Sequence, residues 1–195
     1  MVTDNSTCSA AVNTNKERVC SGTAPYLTPI PSVEKYLAEG WLRPSTSYDC
    51  NPGAPQHMGS DVVYKLFYQS STWYQARDVC QSLGDGVTLA RIFCYNERFF
   101  LYMRARDYAN NSPLWIGGND INNEGTWVWT DSDGSDGIAI ESTGGWDIPW
   151  DLPRQPDNAQ GNEDCLEVNR FGQNFNDYPC GQMLNGFLCE KRFYD

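Results

Sequence analysis

Residues 155–165 read Gln155-Pro156-Asp157-Asn158-Ala159-Gln160-Gly161-Asn162-Glu163-Asp164-Cys165, and Asn176-Asp177 with Cys180 follow shortly after. The stretch is crowded with carboxylates and carboxamides. It closes a segment, residues 130–163, that is rich in Gly, Pro and Asp and shows neither a helical nor a strand period. A structureless segment of more than 30 residues is too long to be a plain connector and reads as functional.

Outward from that segment the periodic signals are clear. Cys165–Val168 and Gly186–Lys191 read as strands on its C-terminal side, and Leu114–Gly117 and Thr126–Trp129 as strands before it. Further upstream, Val62–Tyr68 reads as a strand. Ser71 or Thr72 caps a helix through about Ser82, with Trp73, Ala76, Val79 and Cys80 on one apolar face. Val87–Ile92 suits a short strand, and a second helix over Asn96–Tyr108 has Phe99, Phe100, Met103 and Tyr108 available for packing. Neither a repeat nor a coiled coil is present. Residues 1–60 differ: they are proline-rich, hold Cys8, Cys20 and Cys50, and offer one short helix over 32–39, capped by Ser32 and stopped by Gly40. They read as an N-terminal extension stapled to a domain at 61–195.

The composition bounds the function. The 195 residues carry 14 Lys+Arg against 25 Asp+Glu, a net charge of −11, with 7 Trp, 11 Tyr and 8 Phe. That is enough apolar and aromatic content for a packed core. The acidic balance argues against nucleic acid and against anionic membrane surfaces, both of which attract Lys/Arg clusters. No apolar run approaches the ~20 residues that span a bilayer, so no membrane insertion is expected. One histidine, His57, lies in a Pro/Gly-rich stretch and reads as a surface residue; its solitude removes most zinc-enzyme and Ser-His-Asp schemes. No nucleophile–base constellation is visible, so the chain reads as a non-enzyme.

Eight cysteines with no CxxC pair point to disulfides and an oxidising compartment. The sequons Asn5-Ser6-Thr7 and Asn110-Asn111-Ser112 agree with a secreted glycoprotein. The residues after Met1 show no basic n-region or apolar h-region, as in a mature form.

Taken in order, Trp115-Ile116-Gly117-Gly118, Glu124-Gly125-Thr126-Trp127-Val128-Trp129, Gln155-Pro156-Asp157, Gly161-Asn162-Glu163-Asp164-Cys165, Asn176-Asp177, Cys180 and Cys189 resemble the C-type lectin domain family over roughly residues 61–195. The resemblance implies an α+β double-loop fold with two helices, small antiparallel sheets and a long calcium-binding loop. It also implies the disulfides Cys80–Cys189 and Cys165–Cys180, the second clamping the end of the long loop. Cys8, Cys20, Cys50 and Cys94 leave three pairings open; Cys8–Cys20 with Cys50–Cys94 is the preferred one.

The same resemblance makes Gln155-Pro156-Asp157 the primary calcium site, with a cis proline peptide between two side chains that bind both calcium and sugar. Glu163, Asn176 and Asp177 complete it; Phe175 stands where the family has Trp. Gln155, Asp157, Glu163 and Asn176 each give one oxygen and Asp177 gives a side-chain and a backbone oxygen, a hard donor set suited to Ca²⁺, which takes about 6–8. Two positions are left for sugar hydroxyls. In this family Gln-Pro-Asp goes with galactose-type sugars and Glu-Pro-Asn with mannose, because exchanging amide and acid reverses the donor–acceptor order shown to a hydroxyl pair. Terminal galactose or N-acetylgalactosamine is the implied partner.

One departure concerns the sugar's apolar face. Where galactose binders of the family often carry Trp, four residues after the Gln, this chain has Ala159. Trp146 is the candidate aromatic platform, and Trp150 reads as a core residue. A second calcium site is implied at Asp120, Glu124, Asn158 and Asp164, with Glu163 shared; Asn158 replaces the usual acid and so removes one charge. The run Asp131-Ser132-Asp133-Gly134-Ser135-Asp136 resembles an EF-hand loop but has Asp136 at position six and Ser142 at position twelve, so it reads as a solvated turn. The alternative function is a module of this fold binding a non-sugar surface (ice, mineral or protein) through the same loop. A shallow sugar site is weak alone, so an oligomer is expected to supply avidity.

Overall fold

Side chains alternate across a strand, so a continuous apolar run can serve two different cores. The computed structural model of the chain, which describes residues 33–44, 61–108, 112–140, 150–151, 153–168 and 174–193, uses this repeatedly. Strands β1 (Asp61–Phe67), β3 (Leu114–Asn119), β6 (Cys165–Val168) and β8 (Phe187–Phe193) place Val62, Tyr64, Leu114, Ile116, Leu166, Val168 and Leu188 in one cluster. Val63, Trp115, Cys165, Phe187 and Cys189, the alternate residues, fall in a second cluster on the other face.

The topology is a loop within a loop. β1 and β8 pair antiparallel along their whole length, from Asp61↔Phe193 to Phe67↔Phe187, which joins the two ends of the domain. β2 (Val87–Leu89) pairs with the other edge of β8. β3 touches β8 in parallel at Trp115↔Phe187 and is antiparallel to β4 (Val128–Thr130) and β6. β5 (Asp136–Ala139) pairs with β4, and β7 (Phe175–Tyr178) with β6. The small antiparallel ladders expected from the sequence are thereby joined into one hydrogen-bonded set. Close layering at β3 explains Gly117-Gly118: a Cβ on Gly117 would sit 2.9 Å from the Leu89 carbonyl oxygen, and one on Gly118 would overlap the Leu166 side chain.

Two helices follow from local signals. α2 (Trp73–Ser82) begins at Thr72, whose hydroxyl accepts from the Gln75 N–H while the Gln75 side chain accepts from the Thr72 N–H, a reciprocal capping box. Trp73, Ala76 and Cys80 face inward, and Cys80 is bonded to Cys189 in β8. α3 (Tyr95–Tyr108) buries Phe100 and Leu101 but leaves Phe99 39% exposed, so Phe99 does not serve the core as expected. The inward stripe of α3 includes Glu97, one turn before Leu101, and Phe99 lies on another side of the helix. Burial holds the Glu97 carboxyl above its ordinary pKa, opposed by the Arg192 guanidinium at 2.9 Å. Arg192 also meets Glu190, which in turn binds Arg91 at 2.6 Å, so α3 is tied to β8 through a buried ionic chain.

A third helix, α1 (Val33–Ala38), ends at Gly40 with φ +82°, the left-handed position favoured after a helix C-terminus. Tyr36 and Trp41 are both buried, Tyr36 lies edge-on to Phe193, and Leu42 bridges to Tyr64. Val33–Asp195 is one compact unit, so the helix that the sequence reading set in the N-terminal extension belongs with the sheet: its two aromatics complete the second cluster. The proposed cap Ser32 lies outside the described residues.

Residues 131–135 form the β4–β5 turn. Ser135 donates to Asp133 through both its N–H and its hydroxyl, which lowers the Asp133 pKa, and Asp131 accepts from Arg91. No helix of the described residues is long and apolar enough to cross a membrane.

Candidate metal and ligand site

The long loop is anchored where it returns to the sheet. Trp150 bridges in parallel to Phe175, the Asp151 N–H donates to the Phe175 carbonyl, and the Trp150 ring packs edge-on against Trp127 at 5.2 Å. Trp150 is thus partly buried against the first core cluster, in keeping with its reading as a core residue. Beyond Phe175 this edge of β7 pairs with no strand among the described residues. Successive residues of a strand point to opposite faces, so at a free edge two adjacent side chains and a backbone carbonyl can all approach one point.

Three of the sequence-predicted residues, Asp157, Glu163 and Asp177, gather there. The Gln155–Pro156 peptide is cis. The Asp157 and Asn158 N–H groups donate to Asp177 Oδ1 and Oδ2 at 3.4 and 2.8 Å, tying the loop to β7. Gln155 Oε1 accepts from the Asp157 N–H at 3.1 Å. The Ala159 N–H donates to Glu163 Oε2 at 2.7 Å, and the Glu163 N–H to Asn158 Oδ1 at 3.1 Å, so residues 158–163 close on themselves around the short 3₁₀ turn Ala159–Gly161. Asn158 takes a left-handed backbone, φ 39°, which Asn tolerates better than most residues. Cys165–Cys180 holds the base of this arrangement by linking β6 to the residues after β7.

Asp157, Glu163 and Asp177 each offer a carboxylate oxygen, and these oxygens lie within 4.8 Å of one another. Two oxygens on a shared Ca²⁺ at 2.3–2.6 Å can be at most about 5 Å apart, so the spacing fits a calcium ion. Burial raises the pKa of both Glu163 and Asp177; backbone N–H donors oppose the rise, and the neighbouring carboxylate charges add to it. Like charges held this close without a cation are a cost, which a divalent ion would remove.

Beside them lies the second set of predicted residues. Asp120 is 3% exposed, its Oδ2 accepts from the Gly125 N–H at 2.8 Å, and its Oδ1 has no hydrogen-bond partner among the described residues. Burial pushes its pKa up to about 6, with further upward pressure from Glu124, Asp164 and Asp177. A buried carboxylate oxygen without a donor is the environment that a cation suits. The Asn158 side-chain oxygen, by contrast, already accepts from Glu163.

Several expectations fall outside the described residues: the Trp146 platform, the sequons at Asn5 and Asn110, and the pairings of Cys8, Cys20 and Cys50. Cys94 is disulfide-bonded, and its partner also lies outside. The sequence reading passed over Glu167, which is buried in β6 and accepts from Asn176 Nδ2 at 3.0 Å. Its only signal was a lone acid in the apolar run Cys165-Leu166-Glu167-Val168.

Comparison with known proteins gives these features a context. The family model for the lectin C-type domain matches residues 69–191. A lectin from Pleurodeles waltl is 31% identical over 144 residues, covering 73% of this chain and 76% of the relative. The C-type lectin BJcuL of Bothrops jararacussu is 32% identical over 135 residues, 68% and 77% of the two chains. Among solved structures, the cow C-type carbohydrate-recognition domain of CD23 superposes with a TM-score of 0.54 at 26% identity, over 74% of this chain and 96% of that one. The C-type lectin CEL-I of Cucumaria echinata shares the fold, with a TM-score of 0.57 at 24% identity over 75% and 99% of the chains. With the double-loop fold, the two disulfides and the carboxylate cluster already in place, the chain belongs to the C-type lectin domain family.

Proposed function

We propose that this chain is a secreted, calcium-dependent lectin for terminal galactose or N-acetylgalactosamine, a binding module and not an enzyme. The observation that carries the reading is the convergence of Asp157, Glu163 and Asp177 within 4.8 Å at the free edge of β7. Gln155, Asp157, Glu163, Asn176 and Asp177 would hold the ion, which supplies two open coordination positions for adjacent sugar hydroxyls. Around it, amide N–H groups donate to, and carboxylates accept from, those hydroxyls. The Gln-Pro-Asp order supports galactose-type sugars through the family resemblance, with Trp146 as the aromatic platform. Asp120, Glu124 and Asp164, with Asn158 and Glu163, form the proposed second calcium site, supported by the orphaned Asp120 Oδ1. In this reading residues 61–195, completed by α1 and Trp41, are the recognition module, with an N-terminal extension before it; several modules per assembly would raise a weak single-site affinity.

The test is retention on immobilised galactose in millimolar calcium, with release by EDTA and immobilised mannose in parallel. Retention on galactose alone supports the full proposal. Retention on neither, with a calcium-dependent rise in Tm, would turn the reading to a calcium module for a non-sugar surface.

A further inference from the structure

β6 and β7 set Glu167 directly opposite Asn176. Residues so paired share a face of the sheet, with Cβ atoms about 5 Å apart. Glu167 is 8% exposed, and its Oε1 accepts from Asn176 Nδ2 at 3.0 Å. An asparagine amide has two ends of nearly equal size and opposite chemistry: a carbonyl oxygen that can bind a cation and an NH₂ that cannot. A carboxylate presents acceptors only, so it selects the NH₂ end. With Nδ2 held toward β6, Oδ1 turns away from β6 toward the free edge of β7, the side on which the chain returns from Trp150 to Gln155.

We propose that Glu167 is a positioning residue for calcium ligation: it fixes the Asn176 amide so that Oδ1 faces the cation. The inference rests on the calcium-lectin reading. The burial of Glu167 matters to it, because a carboxylate withdrawn from water holds the amide NH₂ that faces it more strongly than an exposed one would. Partners that orient a metal ligand in this way commonly change metal affinity by 10–100-fold when altered.

A double-mutant cycle separates this role from plain charge or packing. Glu167→Gln keeps the shape but can present either a donor or an acceptor to Asn176. Asn176→Asp gives a ligand with two equivalent oxygens and no wrong end. Calcium affinity is read from titration of the calcium-induced rise in Tm, and the fold from Tm in EDTA. Glu167→Gln is expected to weaken calcium about tenfold in the wild-type background, with Tm in EDTA little changed there. In the Asn176→Asp background it should leave calcium affinity unchanged or tighter, because the Gln NH₂ replaces a carboxylate facing a carboxylate. Equal weakening in both backgrounds would overturn the positioning role in favour of a simple charge effect, and an unchanged affinity in the wild-type background would overturn it outright. A wild-type chain that binds no calcium would overturn the calcium reading itself, a different result from any of these.

Discussion

Trp150 and Trp127 meet edge to face with ring centroids 5.2 Å apart, and through this contact the returning end of the long loop rests on the strand region before β4. Five residues later comes Gln155, so the anchor sets the level at which the cis peptide and Asp157 reach β7. Trp150→Ala should cost about 2 kcal/mol, less than the 3–5 typical of a fully buried aromatic, because the ring is only partly buried. Tm should fall by several degrees and calcium affinity should fall with it. Trp150→Phe should recover most of both. Differential scanning with and without calcium reads the two effects, and an intact calcium shift in the alanine variant would detach the anchor from the site.

Asp157 is exposed and Asn176 partly so, and neither supports the core. Asp157→Ala should therefore leave Tm in EDTA within about a degree of wild type, as surface changes commonly do, yet abolish the calcium-induced rise and the retention on galactose. Asn176→Ala should do the same. Sugar binding that survives either change would remove these residues from the site.

Gln155→Glu combined with Asp157→Asn reverses the amide and acid positions while keeping the shape of both side chains. Glu at 155 still provides an oxygen for the Asp157 backbone N–H bond seen at 3.1 Å. Preference should move toward mannose on parallel columns. An unmoved preference would assign specificity to the loop aromatics.

Asp120 gives a pH signature. Its pKa in the folded chain is about 6 against 3.8 ordinarily, so the fold binds this proton more tightly than the unfolded chain does. Its contribution to stability in EDTA is therefore complete below about pH 4 and lost as the pH rises through about 6. Asp120→Asn, a neutral mimic, should stabilise the calcium-free protein at pH 7 by up to about 3 kcal/mol and have little effect near pH 4. In calcium the sign should reverse if Asp120 is a ligand. Tm measured across pH in EDTA and in calcium decides it; a pH-independent effect would show that the Asp120 charge carries no burden.

Glu163 and Asp177 are shifted the same way, upward through burial. Protons then compete with calcium for their oxygens. Calcium titrations should give weaker binding at pH 5 than at pH 7, and Asp157→Ala should show neither binding. Equal affinity at the two pH values would mean that other oxygens hold the ion.

How much of this was legible beforehand differs element by element. The Gly40 stop and the apolar face of α2 are local signals that stand where the sequence put them, and of the two caps it offered, Ser71 or Thr72, the structure uses Thr72. β5 and β7 went unrecognised. Asp136–Ala139 and Phe175–Tyr178 are four residues each with little apolar period, and they become strands only because β4 and β6 supply the other half of each ladder. Phe99 showed how α3 departs from a purely apolar stripe: its inward face admits Glu97 because β8 delivers Arg192 opposite it.

The sequence by itself carried the family resemblance, with the Cys80–Cys189 and Cys165–Cys180 pairs it implied and the structure holds. It also named the oxygen-bearing side chains of the proposed site, because motif order and ligand chemistry are properties of the chain. Only the tertiary structure decided how those oxygens meet: Asp157 and Asp177 are 20 residues apart and come together through the β6–β7 pairing and two backbone hydrogen bonds. It also decided that Asn158 closes the loop through the Glu163 N–H and that Glu167 faces Asn176. Cross-strand register and burial set those contacts, and both depend on residues remote in sequence.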